Sequence, residues 1–421
     1  MSLWSFFTDP VLRAPTIACM LMGLSSSLIG VLVFLQRRSL LGEALAHAAY
    51  PGVALSGLCL AFLASQSESL FSLAVLGGAL VTVFLALALI HFLEKKLSIK
   101  ADSALCFTLS LFFGLGVLLA SRLQMSHPLW YKQIQLFLYG QAATMTDAHV
   151  FFYGILTLLI VALLLLFFRP ISLIHFDQGL AQLSGLNAKW LNGLLLFLLG
   201  LSLVVGMRSV GLVLISSLLV APASGARQLS AHLSTFFWVA GFFGMTSGFL
   251  GNYLAVEIPL WLHLPRLSLP TGPMIALSAT FLCLAALLLA PQRGYLIREL
   301  RLLAFKVRCR QENLMKQFYK AAGPLPLSLS WNLWRMRRKK WIFRTEEGSF
   351  ELTKEGEKIA AKIVRLHRLW EVYLVHMGQG SEKVHRSAEE MEHILTPEVE
   401  KELGELLKHP RRDPHQQIIP R

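Results

Sequence analysis

The chain changes physical class near residue 292. Before that point it is a succession of apolar blocks, and after it the chain is charged and rich in His and Glu. Residues 1–292 carry only 13 of the 39 Lys and Arg and 8 of the 25 Asp and Glu. Hydrocarbon tolerates few charges, whereas a domain in water needs them. A lipid-embedded part and a water-soluble part therefore share one polypeptide, and the join itself carries functional information.

A hydrocarbon core takes about 20 apolar residues per helix. By that measure about nine transmembrane helices are expected, near 12–35, 43–64, 71–93, 104–121, 150–168, 191–207, 210–229, 234–254 and 272–290. The sixth and seventh are separated only by a very short turn at Met207–Arg208–Ser209. Arg37 and Arg38, Lys95, Lys96 and Lys100, Arg169 and Lys189, Arg227 and Arg293 fall in alternate loops, which are richer in cations than the loops between them. The positive-inside rule puts that set in the cytoplasm, the N-terminus outside and the C-terminal tail inside. The start, MSLWSFFTDP, has no basic n-region, so the first apolar block is expected to stay as a span. The five cysteines are scattered, a distribution that suits packing better than disulfides or a zinc site.

Residues 36–54 read QRRSLLGEALAHAAYPGVA. Glu43 and His47 are four apart and so share one helix face. A carboxylate and an imidazole suit Mn²⁺, Fe²⁺ or Zn²⁺. The same spacing also suits an interfacial helix start with a histidine hydrogen-bonded in a bundle. The stretch resembles the membrane permeases of the manganese, zinc and iron ABC uptake family. So do LFLYG at 136–140, VGLVLISSLLVAPASGAR at 210–227 and LPTGP at 269–273. The family motif usually has Asp at the Glu43 position. The resemblance implies that Glu43 and His47 meet the ion in the membrane. It also implies that FDQGLAQLSGLNAK at 176–189 docks on an ATPase, and that a periplasmic or lipid-tethered metal-binding protein and a second permease chain complete the system. No G-x-x-x-x-G-K-[ST] phosphate loop occurs in the chain, so ATP hydrolysis is expected in a separate subunit.

The tail carries its own constellation. A basic, helical stretch runs from Gly294 to Gln317 and is broken at Gly323-Pro324-Leu325-Pro326. Ser328 to Lys340 reads as a short basic helix, Trp341 to Thr353 as a hairpin, and Lys354–Met377 and Val384–Ile394 as helices. His367 and Glu371 are i,i+4, as are His385 and Glu389, and Glu389, Glu392 and His393 share one helix face. These are N and O donors without thiolate, which suits Mn²⁺ or Fe²⁺; a solvated, salt-bridged face has the same spacing.

Over about 310–421 the chain resembles the iron- and manganese-dependent transcriptional repressors of the diphtheria-toxin-repressor class. That resemblance implies one metal site at His367, Glu371 and His385. It implies a second at Glu389, Glu392 and His393, with a first-helix residue near Asn313. It also places SLSWNLWRMRRKKW as a recognition helix on operator DNA, with Ser330 and Asn332 reaching bases and Arg335, Arg337, Arg338 and Lys339 on phosphates. A basic juxtamembrane cluster of this kind also fits anionic lipid.

The expected architecture is an all-α polytopic membrane domain followed by a small, mainly α winged-helix and helical metal-binding domain. Its parts are a permease domain at 1–292, a basic connector at 293–312, a winged-helix DNA-binding domain at 313–356, and a metal-binding and dimerisation domain at 357–421. The expected function is import of Mn²⁺, Fe²⁺ or Zn²⁺ across the bacterial inner membrane, with the same class of ion acting as co-repressor in a cytoplasmic tail. Two rivals stand beside it: a membrane-anchored metal sensor that no longer transports, and a transporter whose tail gates flux without touching DNA.

Overall fold

In the computed structural model, α1 (Ser5–Thr8) leads into α2 (Pro10–Leu35), α3 (Leu40–Phe62), α4 (Glu68–Lys95) and α5 (Ala101–Ser126). Then follow α6 (Pro128–Tyr139), α7 (Asp147–Leu166), α8 (Phe168–Phe176), α9 (Gln178–Leu183), α10 (Ala188–Val210), α11 (Ile215–Leu229), α12 (Leu233–Trp261) and α13 (Thr271–Leu289). The tail contains α14 (Tyr295–Ala321), α15 (Trp331–Arg338), β1 (Ile342–Arg344), β2 (Phe350–Leu352), α16 (Lys354–His376), α17 (Val384–Met391) and α18 (Pro397–Leu406). The structure describes residues 3–62, 68–140, 142–212, 214–263, 268–321, 323–325, 330–380, 384–394 and 396–420. The expected positions of Pro326 and Ser328 lie outside these. Two compact units emerge, Met1–Ile297 and Arg298–Arg421.

Among the described residues, seven helices are long and apolar enough to cross a membrane: α2, α4, α5, α7, α10, α12 and α13. The other two expected spans correspond to α3 and α11. At about 1.5 Å per residue, the 15 residues of α11 reach only about 22 Å, short of a core about 30 Å thick. The turn expected at Met207–Ser209 is helical. The chain turns instead at Gly211, whose φ of 96° is left-handed and open mainly to glycine.

The bundle is organised around α2, which packs against α7, α10, α11 and α12. Its contact with α12 depends on glycine. A Cβ on Gly23 would lie 2.1 Å from the Gly244 carbonyl oxygen, and a Cβ on Gly244 equally close to that of Gly23. Lipid tails are as apolar as leucine, so close backbone approach replaces the hydrophobic effect as the adhesive force. Outward-facing Leu and Phe on α4, α5, α7 and α13, among them Leu73, Phe107, Leu158 and Phe281, are exposed, as a lipid-facing surface requires.

In the second unit a small core joins Met315 and Phe318 of α14, Leu333 and Met336 of α15, Ile342 and Phe350 of the hairpin, and Ala360 and Ile363 of α16. The strands pair antiparallel with Phe343 opposite Glu351. The Thr353 hydroxyl caps α16 by accepting the Gly356 N–H at 3.0 Å. The segment expected as a connector is part of α14, a single helix from Tyr295 to Ala321.

Candidate metal sites

In α3, every residue from Leu41 to Ala54 is buried except Glu43 and His47. One helical turn separates the two, so they form a polar stripe on an otherwise sealed helix. His47 packs edge-on against Phe113 of α5, ring centroids 4.8 Å apart, and its Nδ1 has no hydrogen-bond partner. An imidazole nitrogen withheld from both water and protein hydrogen bonds is costly unless something else uses its lone pair.

The tail site is built from α16 and α17. The apolar periodicity of α16 buries Ile363, Val364, Leu366 and Leu369, and the same face carries His367 and Glu371 inward, 4% and 2% exposed. His385, at the start of α17, closes the group from its exposed side. His367 Nε2 lies 3.1 Å from Glu371 Oε1 and 3.1 Å from His385 Nδ1, and His385 Nδ1 lies 2.7 Å from Glu371 Oε1. An ion with ligand bonds of about 2.1 Å has adjacent octahedral ligands about 3 Å apart, so the three donor atoms match one face of such a sphere. Among the described residues this is the one trio of potential ligands that converges on a common point.

Electrostatics fits the same reading. Burial pushes the Glu371 carboxyl up, but hydrogen bonds from His367 and His385 outweigh it and bring its pKa down to about 2. Burial also disfavours a charged His367, yet the Glu371 and Glu392 carboxylates on either side hold its pKa above the ordinary 6.5. A cation is therefore wanted between these groups, and a proton meets that need in the metal-free state.

The other expected ligands are placed differently. Glu392 is buried against His367 Nδ1 at 2.5 Å and accepts two hydrogen bonds from Lys316 Nζ, at 2.9 and 3.0 Å. Despite its burial, those bonds hold the Glu392 pKa low. His393 Nδ1 contacts Glu312 Oε2 at 2.6 Å, and Arg308 ties the pair together through Glu312 Oε1 and the His393 carbonyl. Glu389 is half exposed, 3.6 Å from His385 Nε2. Asn313 is exposed on α14, and the side chains of that helix that pair with the Glu392 and His393 side chains are Lys316 and Glu312. Sequence reading missed both, although their i,i+4 spacing marks one face.

A model of the ABC 3 transport family matches residues 8–290. The chain belongs to this family. A second model, "iron dependent repressor, metal binding and dimerisation domain", matches residues 353–421. The chain is 36% identical to a Chlamydia pneumoniae protein named "Probable metal transport system membrane protein", over 98% of each. It is 30% identical to the "Manganese transport system membrane protein MntC" of Bacillus subtilis, over 89% of this chain and 86% of that one. Its fold resembles a solved structure, "PsaBC from Streptococcus pneumoniae in complex with Fab", at 26% identity and a TM-score of 0.58, over 70% of this chain and 98% of that one. The chain is thus an ABC 3 permease with a C-terminal iron-dependent-repressor domain.

On this ABC 3 permease the expected DNA-reading helix is α15, only eight residues long. The Ser330 hydroxyl is its N-cap, accepting the Leu333 N–H, and Asn332 Oδ1 is buried without a partner. Arg335 lies over the Trp331 ring at 5.3 Å, Arg338 over Trp334 at 5.7 Å, and Lys339 over Trp341 at 4.2 Å. Arg337 is exposed. Arg335, Arg338 and Lys339 thus each stack on an indole ring, and Arg338 and Lys339 remain exposed as Arg337 is.

Proposed function

We propose that this permease imports a divalent first-row transition ion, Mn²⁺ or Fe²⁺ with Zn²⁺ also accommodated, and that its tail senses the same class of ion. The observation that carries the reading is the pairing of two N/O donor sets: the Glu43–His47 stripe in the bundle and the His367–Glu371–His385 trio in the tail. Neither contains a thiolate, the donor that would favour structural zinc or Cu(I). Manganese transport by the Bacillus subtilis relative supports the choice of ion.

In this reading Glu43 and His47 accept the ion from a periplasmic or lipid-tethered binding protein and release it inward. The exposed apolar side chains of α8 and α9, Phe176, Leu180 and Leu183, form the surface that a separate ATPase subunit would grip. A second permease chain completes the pathway, and the tail is cytoplasmic in the bacterial inner membrane. When bound, the ion in the tail supplies positive charge between His367, Glu371 and His385; these residues orient it and exclude protons from the same site. The α15 helix and the β1–β2 hairpin are the surface offered to operator DNA, with Arg335, Arg337, Arg338 and Lys339 on phosphates.

One observation favours a second output, control of flux. Only five residues separate the end of α13 from the start of α14, and α14 runs unbroken to Glu312 and Lys316 at the metal cluster. Radioactive Mn²⁺ uptake in cells that express the chain with its ATPase tests both readings. Glu43→Gln should lose uptake. Glu371→Gln should retain it but lose its restraint at high internal Mn²⁺ if the tail gates, or lose only operator repression if it does not. Full uptake by Glu43→Gln would refute the transport site.

A further inference from the structure

We propose that the Lys316 ammonium is a built-in cation that takes the place of a second metal ion, so that the tail holds one ion, at His367, Glu371 and His385. The inference rests on the tail metal site proposed above and concerns how many ions it takes.

Lys316 is only 6% exposed, unusual for a lysine, and its Nζ lies among the tail's acidic groups. It bonds both oxygens of Glu392 at 2.9 and 3.0 Å, lies 3.3 Å from His367 Nδ1, and is 3.9 Å from Glu389 Oε1. This is the point on which Glu389, Glu392 and His367 converge from α16 and α17. A divalent ion bound by the same Glu392 oxygens would need bonds of about 2.1 Å and would meet a positive charge at contact distance. The ammonium and a second ion are mutually exclusive. His393 is held through Nδ1 by Glu312 at 2.6 Å, with its Nε2 3.7 Å from Glu392 Oε1.

The ammonium also changes what Glu392 does. A carboxylate neutralised by lysine and lying 2.5 Å from His367 Nδ1 accepts the proton that Nδ1 carries. The lone pair of His367 is then on Nε2, the nitrogen that faces Glu371 and His385. Glu392 thus orients the metal-binding histidine, a role carboxylates commonly play one step out from a metal. Lys316 further ties α14 to α17 whether or not an ion is present.

The test is the Mn²⁺ count at saturation, by equilibrium dialysis on the purified full-length chain in detergent. His367→Ala should bind one ion fewer than wild type. Lys316→Glu should bind one ion more, and Lys316→Met should gain the same ion more weakly. Lys316→Arg, which keeps the cation, should match wild type. The proposal is overturned if the Glu and Met variants keep the His367-dependent ion, which shows the tail intact, yet bind only the wild-type number. If His367→Ala leaves the wild-type count unchanged, the metal-site reading itself fails, and the inference with it.

Discussion

The two donor sets of this chain differ in what surrounds them. In α3, Glu43 and His47 stand one turn apart with no hydrogen bond between them, and His47 Nδ1 is unpartnered. In the tail, His367 and Glu371 are almost fully buried, and each donor is bonded to the next. A site on a transport path must release what it binds, so few ligands on one helix suit it. A sensor must hold its ion long enough to be read, and pre-oriented ligands cut the cost of ordering. On the proposed reading, bare donors against braced donors would be the physical contrast between cargo and signal.

The sharpest way to break that contrast is to remove one member of the sparse set. His47→Ala should reduce Mn²⁺ uptake to background, because little else on α3 can replace it, while Glu43→Asp should keep most of it. Measured in the same cells, tail metal binding should be unchanged by either substitution. Loss of tail binding in His47→Ala would show that the two sites are not independent.

A smaller effect is expected in the braced set, where neighbours remain. Glu371→Gln should weaken Mn²⁺ binding by the tail by about 100-fold or more, since it removes a ligand rather than an outer partner. Glu392→Gln, which only loosens His367, should cost about 10-fold. Calorimetry on the full chain in a Glu43→Gln background isolates the tail. Equal losses for the two variants would mean that Glu392 binds the ion directly.

The mildest test is pH. Glu371 has a pKa depressed from 4.5 to about 2, so its contribution to folding is complete above 4.5 and is lost as pH falls toward 2. His367 is raised above 6.5, so its contribution is complete below 6.5 and fades as pH rises through its folded value. Without metal the tail should therefore be most stable between about pH 4.5 and 6.5. Above that window Mn²⁺ should increasingly take over from the proton. Thermal melting with and without Mn²⁺, from pH 4 to 8, checks this. A Mn²⁺ effect that shrinks with rising pH would contradict the proton–metal exchange.

Much of this was legible in the chain. The apolar blocks located the bundle, and the four-residue spacings of Glu43–His47 and His367–Glu371 marked the two faces. The resemblance to metal permeases and metal-dependent repressors agrees with the family matches over 8–290 and 353–421. The turn between α10 and α11 was misplaced because Met207–Arg208–Ser209 looks like a polar break, whereas the break requires the positive φ of Gly211. Reading the α15 cations as phosphate contacts leaves out that Arg335, Arg338 and Lys339 each lie over an indole ring. Trp331 and Trp334, three apart and each four before its arginine, were the available signal.

Composition and period decide which segments enter lipid and which face of each helix is polar, because burial of apolar area and helical geometry are local properties of the chain. They cannot decide which polar groups meet across helices. Lys316 is one more cation in a basic helix when read along the chain. Only the packing of α14, α16 and α17 puts its ammonium 2.9 Å from Glu392 and leaves Asn313 in solvent. A buried charge must find a partner within a few ångströms, and that partner lies 76 residues away along the chain.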